Sequence, residues 1–246
     1  MISTFQSSLL ERKQLSEHIY YIRFKPVDFQ LEFKAGQYVI FHIPQGDGHP
    51  ARRLYSMASP VTQKDEFSLI VEIVPNGVAS EYFMKMNIGD TVTTQGPAGM
   101  FTLAENDRDI IFLATGTGIA PIRSMILSEL TINPQKKMTL FWGFPYFKSV
   151  YLLDEFMNLS KQYPNLTFYN CLSREGNLDC ILDMEQKNHH MIGHVNDAFE
   201  NVVTDDIMRY HYYVCGGPKV VESLKEYLLV TKTIPREQVH FEKFTV

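Results

Sequence analysis

Three short stretches of the 246-residue chain carry residue types that could do chemistry together. Arg53-Leu54-Tyr55-Ser56 puts a cation, a flat aromatic ring and a hydroxyl on one extended segment. The two-residue strand period sets Arg53 and Tyr55 on the same side. That set suits a ligand with a diphosphate and a large planar ring system. Gly116-Thr117-Gly118-Ile119-Ala120-Pro121, with Thr115 just before it, and Cys215-Gly216-Gly217-Pro218 each follow an apolar run and open a helical pattern. Such turns aim backbone amides at a phosphate or a nicotinamide. Glycines let a phosphate come close to the backbone, and Pro121 fits the first turn of a helix. The simplest joint reading is a flavin on the first half and a nicotinamide nucleotide on the second.

Other residues compete for, or add to, these roles. Arg52 is a second cation one position before Arg53. Gly77-Val78-Ala79-Ser80 opens a helical pattern and is a further anion site by the helix-terminus argument. Cys215 reads either as a small buried apolar residue or as a sulfur beside the reacting carbon of a nicotinamide. Glu242 and Phe244 fit either a site role or a last edge strand. Cys171, Cys180 and Cys215 are too scattered for a zinc pair or an iron–sulfur centre, and His189, His190 and His194 are no better spaced. No metal is expected, and the three thiols are expected to be reduced.

The elements that position these residues change character near residue 105. Before it, short runs rich in Ile, Val, Tyr and Phe (18–25, 37–43, 52–58, 67–74 and 91–95) read as strands of a small antiparallel barrel. One helix, 79–86, interrupts them, and turn residues such as 44–48 punctuate them. The polar stretch 104–109 reads as a linker. After it, strand, glycine turn and helix repeat. The runs 110–114, 138–142, 166–172 and 212–215 read as buried parallel strands, with helices behind them at Ile122–Leu130, 152–162 and Val220–Leu228. That alternation predicts a doubly wound domain.

Composition permits two compact domains of roughly 100–150 residues. Apolar residues make up 45%, and 23 basic against 28 acidic residues give a net charge of −5. A nucleic-acid partner would need a basic face, and none is evident. The N-terminal Met1-Ile2-Ser3-Thr4-Phe5-Gln6 shows no signal-peptide pattern, and no apolar run approaches the roughly 20 residues of a membrane span. A cytoplasmic protein is expected.

Taken together, the motifs resemble the ferredoxin–NADP reductase family of FAD-dependent oxidoreductases over nearly the whole chain. The matching residues are R-x-Y-S at Arg53, Tyr55 and Ser56, G-x-x-S at Gly77 and Ser80, and G-P-x-G-x-F at Gly96, Pro97, Gly99 and Phe101. They continue with G-T-G-I-A-P from Gly116, C-G-G-P from Cys215, and E-x-F at Glu242 and Phe244. The resemblance implies a Greek-key β-barrel binding FAD over residues 1–104 and an α/β NAD(P)-binding domain over 105–246. It implies that Arg53 neutralises the FAD diphosphate, aided by the amides of Val78, Ala79 and Ser80. Tyr55 would stack on the isoalloxazine, Ser56 would hydrogen-bond its N5 edge, and Phe244 would cover the opposite ring face. Met57, Glu72, Ile73, Val74 and Gly77 would complete the flavin site. Thr115 to Pro121, Ser173, Arg174 and Cys215 to Pro218 would hold the nucleotide, while Ser56, Cys215 and Glu242 would border hydride transfer. Ser173-Arg174 resembles a clamp for the 2′-phosphate of NADP, which favours NADPH over NADH. The implied partner is an external one-electron carrier, ferredoxin or flavodoxin. A reductase component of an oxygenase, a free-standing flavin or ferric reductase, and a non-catalytic flavin-binding sensor stay open.

Overall fold

The computed structural model describes residues 2–46, 48–105, 108–181 and 183–244. Asp47 of the expected 44–48 turn, Asn106 and Asp107 of the expected linker, and Thr245 and Val246 lie outside the described residues. The chain forms two compact units. Unit 1 is Met1–Ala104 with Arg123–Ser128, and unit 2 is Glu105–Ile122 with Glu129–Val246.

Unit 1 holds six strands: β1 (Ser3–Gln14), β2 (Ile19–Val27), β3 (Tyr38–Ile43), β4 (Ala51–Ser56), β5 (Phe67–Glu72) and β6 (Thr91–Ala98). All pairs are antiparallel, in the order β4-β3-β6-β1-β2-β5. Just past β4, Met57 bridges Leu69, and the Ala58 N–H donates to the Ser68 carbonyl at 2.7 Å. The two edge strands therefore meet, and the sheet curls into a Greek-key barrel. β1 has no counterpart in the sequence pattern. Phe5, Ser7 and Leu9 alternate inward, but a register shift between Leu9 and Glu11 breaks the two-residue period that would mark the strand.

The barrel core is aromatic. The Phe24 ring lies 5.0 Å from Phe41, 5.7 Å from Phe67 and 5.9 Å from Phe83. Phe83 belongs to α1 (Val78–Lys85). Burying it contributes roughly 1.5–3 kcal/mol and fixes that helix on the barrel. Arg12 of β1 secures the other end, donating from Nη1 to the Phe83 and Met86 carbonyls at 2.6 and 3.0 Å. These bonds satisfy carbonyls that a helix C-terminus leaves open.

Unit 2 is a parallel sheet of β7 (Asp109–Thr115), β8 (Met138–Phe144), β9 (Leu166–Leu172), β10 (His190–Ile192), β11 (Tyr210–Gly216) and β12 (Val239–Lys243). The helices between them are α2 (Ile119–Ile132), α3 (Leu153–Gln162), α4 (Met184–Lys187), α5 (Val195–Val202) and α6 (Pro218–Glu226). Alternate residues of each strand serve opposite faces. Ile111, Leu113, Phe141, Tyr212 and Val214 pack with Phe199 of α5 and Leu224 of α6. On the other face Phe156 of α3 meets Trp142 and Phe168 at 5.8 and 5.7 Å. Burial on both faces explains the unbroken apolar run of β7. The strand order β10-β9-β8-β7-β11-β12 reverses direction between β7 and β11. The carboxyl ends of those two strands flank the point where open α/β sheets bind ligands.

Candidate functional site

In unit 1, β4 carries the first group of residues. Tyr55 is half-buried, with its ring 5.9 Å from Phe41 and 5.4 Å from Phe83. Burial pushes its phenol up to about 12, against the opposing charge of Arg53, so the hydroxyl stays a neutral hydrogen-bond donor. Arg53 is exposed, and its Nη1 donates to the Arg52 carbonyl at 2.9 Å. It has no carboxylate partner among the described residues. Arg52 is engaged elsewhere, donating to Gln95 Oε1 at 3.2 Å. Of the two adjacent cations, Arg53 is thus the one electrostatically tied to the Tyr55 ring. Ser56 and Met57 are buried at the strand end, where Ser56 pairs with Tyr38.

The second group sits at the start of α1. No side chain caps this helix, whose N-cap is Gly77. The amides of Val78, Ala79 and Ser80 are therefore directed to whatever lies beyond the first turn. The Ser80 hydroxyl has a local task, accepting from the Val74 N–H at 3.0 Å. Gly77 closes the same turn by donating to the Val74 carbonyl at 3.1 Å. A Cβ on Gly77 would come within 2.6 Å of Val74 Cγ2 and 2.9 Å of Ser80 Oγ, so this turn needs a glycine. Ile73 and Val74 line its approach, and Glu72 is exposed at the end of β5. An uncapped helix start and an exposed guanidinium are each the kind of donor that a diphosphate takes.

In unit 2 the register brings the two glycine motifs together. Cys215 pairs with Ala114 on one side and with Glu242 on the other. A Cβ on Gly118 would lie 2.3 Å from the Cys215 carbonyl oxygen, and one on Gly216 would lie 2.2 Å from Thr115 Oγ1. Backbone obstructs a side chain at Gly118, while at Gly216 the Thr115 hydroxyl does so and φ of +154° also favours glycine. Gly116 has φ +52° with open space around its missing side chain. Gly217 is the N-cap of α6, and Pro218 is in its first turn. The arrangement is a crevice of backbone amides at the switch point, which fits a dinucleotide.

Cys215 is only 1% exposed. Burial, and then the Glu242 carboxylate, push its thiol well above the ordinary range. It is therefore a neutral group and not a thiolate nucleophile. Phe244 follows β12 and is half-buried, with its N–H donating to the Gly216 carbonyl at 2.9 Å. At the end of β9, Ser173 Oγ donates to the Phe144 carbonyl at 3.3 Å. Arg174 is exposed, and its guanidinium has no partner among the described residues. The neighbouring Glu175 carboxylate turns away to accept from the Phe147 N–H at 3.0 Å.

Sequence reasoning passed over Arg12, because an isolated arginine on an unmarked strand carries no local signal. It also missed the pairing of His211 with His240, whose Nδ1 and Nε2 lie 2.9 Å apart. No group of three metal-binding side chains occurs among the described residues, and no described helix is long and apolar enough to cross a membrane.

Residues 6–103 match the family described as oxidoreductase FAD-binding domain, and residues 112–226 match oxidoreductase NAD-binding domain. Ferredoxin–NADP reductase B of Sorangium cellulosum is 26% identical over 98% of this chain and 97% of its own length. The reductase component of phenol 2-monooxygenase from Pseudomonas is 29% identical over 89% of this chain and 59% of its own length. The chain spans 56–63% of the length of the first three curated relatives it matches. A cytochrome P450 reductase from Amycolatopsis superposes with a TM-score of 0.85 at 28% identity, covering 100% of this chain and 71% of that one.

Proposed function

Because the chain belongs to the ferredoxin–NADP reductase family of FAD-dependent oxidoreductases, we propose that it oxidises NADPH and delivers electrons to an external one-electron carrier such as ferredoxin or flavodoxin. The observation that carries the nucleotide half is the crevice at the switch point, where no Cβ fits at Gly118 or Gly216. The residues of unit 1 would hold FAD, which would supply hydride acceptance and one-electron release, chemistry that no side chain performs.

This chain's residues supply binding and electrostatics. Arg53 and the α1 amides hold the diphosphate, while Tyr55 offers a ring face and a neutral hydroxyl. Ser56, Met57, Glu72, Ile73 and Val74 border the flavin site. Thr115 to Pro121 and Gly216 to Pro218 cradle the nucleotide backbone. Cys215, kept neutral by burial, provides a compact uncharged wall beside the nicotinamide, with Glu242 next to it in the sheet. Phe244, the half-buried aromatic residue after β12, would be the ring that competes with nicotinamide for its place.

The preference for NADPH rests on Arg174, a guanidinium at the carboxyl end of β9 with no partner among the described residues. Arg174→Ala is expected to raise KM for NADPH at least about tenfold, roughly 1.4 kcal/mol, with little change for NADH. Equal changes for both nucleotides would make Arg174 structural and remove the NADPH assignment.

The likeness to an oxygenase reductase component favours a second reading, in which the acceptor is an oxygenase system. Steady-state assays with purified ferredoxin, flavodoxin and oxygenase components separate the two readings. Reduction of ferredoxin or flavodoxin with saturable kinetics supports the first, and turnover only with oxygenase components supports the second.

A further inference from the structure

We infer that Trp142 is a positioning residue for the nucleotide site: its indole N–H fixes the Gly116–Thr117 peptide so that the Thr117 amide faces the bound phosphate. This rests on the proposal that the Gly116 turn receives a nicotinamide nucleotide. Trp142 lies on β8, in register with Ala114 of β7, and is 1% exposed. A buried indole has one donor and needs one acceptor. That acceptor is the Gly116 carbonyl, 3.1 Å from Nε1.

The consequence follows from peptide geometry. The Gly116–Thr117 bond is trans, so its carbonyl and its N–H point in opposite directions. Drawing the carbonyl inward to Trp142 turns the Thr117 N–H outward, away from the sheet. Gly116 does not impose this through packing. It has φ +52° and no atom within 4 Å of a Cβ position, so no side-chain contact at this residue sets the peptide's orientation. The Ile119 N–H also donates to the Gly116 carbonyl, but it belongs to the same turn and moves with it. Among the described residues, the indole ties the turn to the sheet through this oxygen. The ring is itself held by Tyr151 edge-on at 4.8 Å and by Phe144 at 4.5 Å.

Trp142→Phe removes the donor and keeps an aromatic ring. Phe156→Leu is the control, since Phe156 packs on the same indole at 5.8 Å but leaves its N–H in place. Dissociation constants for NADP⁺ and NAD⁺ are measured by titrating the flavin-loaded proteins and following the flavin spectrum, with FAD content determined in parallel. Trp142→Phe is expected to weaken both nucleotides by the same factor, about three- to tenfold, as for loss of one buried hydrogen bond, with FAD content retained. Phe156→Leu is expected to change either constant less than about twofold. Unchanged nucleotide affinity in Trp142→Phe, or an equal loss in Phe156→Leu, would overturn the inference in favour of simple packing. A wild-type protein that binds neither nucleotide would overturn the functional reading and this inference with it.

Discussion

Gly118→Ala probes the nucleotide crevice most sharply. The added Cβ would sit 2.3 Å from the Cys215 carbonyl oxygen, 2.5 Å from its carbon and 2.7 Å from the Gly216 nitrogen. An ordinary carbon–oxygen contact is about 3.3 Å, so the turn after β7 and the end of β11 must part by about 1 Å. Every obstructing atom is backbone, and none can rotate away. Overpacking of this kind costs about 1–3 kcal/mol. At roughly 2–4 °C per kcal/mol for a protein of this size, the melting temperature should fall by about 2–12 °C. Separating the two motifs should also weaken NADPH and NADH alike, by at least about tenfold. FAD content should be retained, since Gly118 belongs to unit 2. Thermal melts by circular dichroism and nucleotide titrations of the flavin-loaded variant read these effects. Wild-type melting together with wild-type nucleotide affinity would refute the close approach of the two motifs.

Arg53→Ala should weaken FAD retention by about 1.5–3 kcal/mol, the range for a hydrogen bond to a charged group. Arg52→Ala should do far less because Gln95 already engages that side chain, and equal losses on dialysis would remove Arg53 from its role. Phe244→Ser should tighten NADP⁺ binding without destabilising the fold, since the bond to the Gly216 carbonyl comes from the backbone N–H and survives. A lower melting temperature with unchanged affinity would make Phe244 an edge anchor instead. His211 is pulled down to about 4 by burial first, then by the facing His240 and the positive Arg108 and Lys136, against the pull of Glu237. A lowered folded pKa means stability is full above the unfolded value near 6.5 and is lost as pH falls toward 4. Urea unfolding at pH 7 and pH 4.5 should show an acid loss that His211→Asn reduces, and an identical acid loss in the variant would contradict the assignment.

The parts of this molecule legible in its sequence are those written in local spacing. The glycine turns at Gly116 and Cys215 announce strand-to-helix crossings, and the apolar run 110–114 announces a buried parallel strand. The reversal of strand order that brings those turns together depends on which strands pair, a choice no local period encodes. The same holds for Cys215 beside Glu242 and for His211 beside His240, which meet only through the β11–β12 register. β1 escaped notice because its bulge at Leu9 and Glu11 scrambles the alternation. In the flavin half, the R-x-Y-S spacing marks Arg53 and Tyr55. It does not reveal that Gln95 occupies Arg52, that Ser80 spends its hydroxyl oxygen on Val74, or that Arg12 holds the far end of α1. Those are side-chain choices made only once the barrel has closed.

Binding of a flavin and its reduction by a nicotinamide nucleotide in this one chain are tested most directly by mixing the purified protein with NADPH under anaerobic conditions and following the visible flavin absorption. The expected result is a yellow protein whose absorption bleaches on adding NADPH and recovers when an artificial one-electron acceptor is supplied. A colourless protein that cannot be loaded with FAD, or a yellow one whose spectrum neither NADPH nor NADH changes, would contradict it.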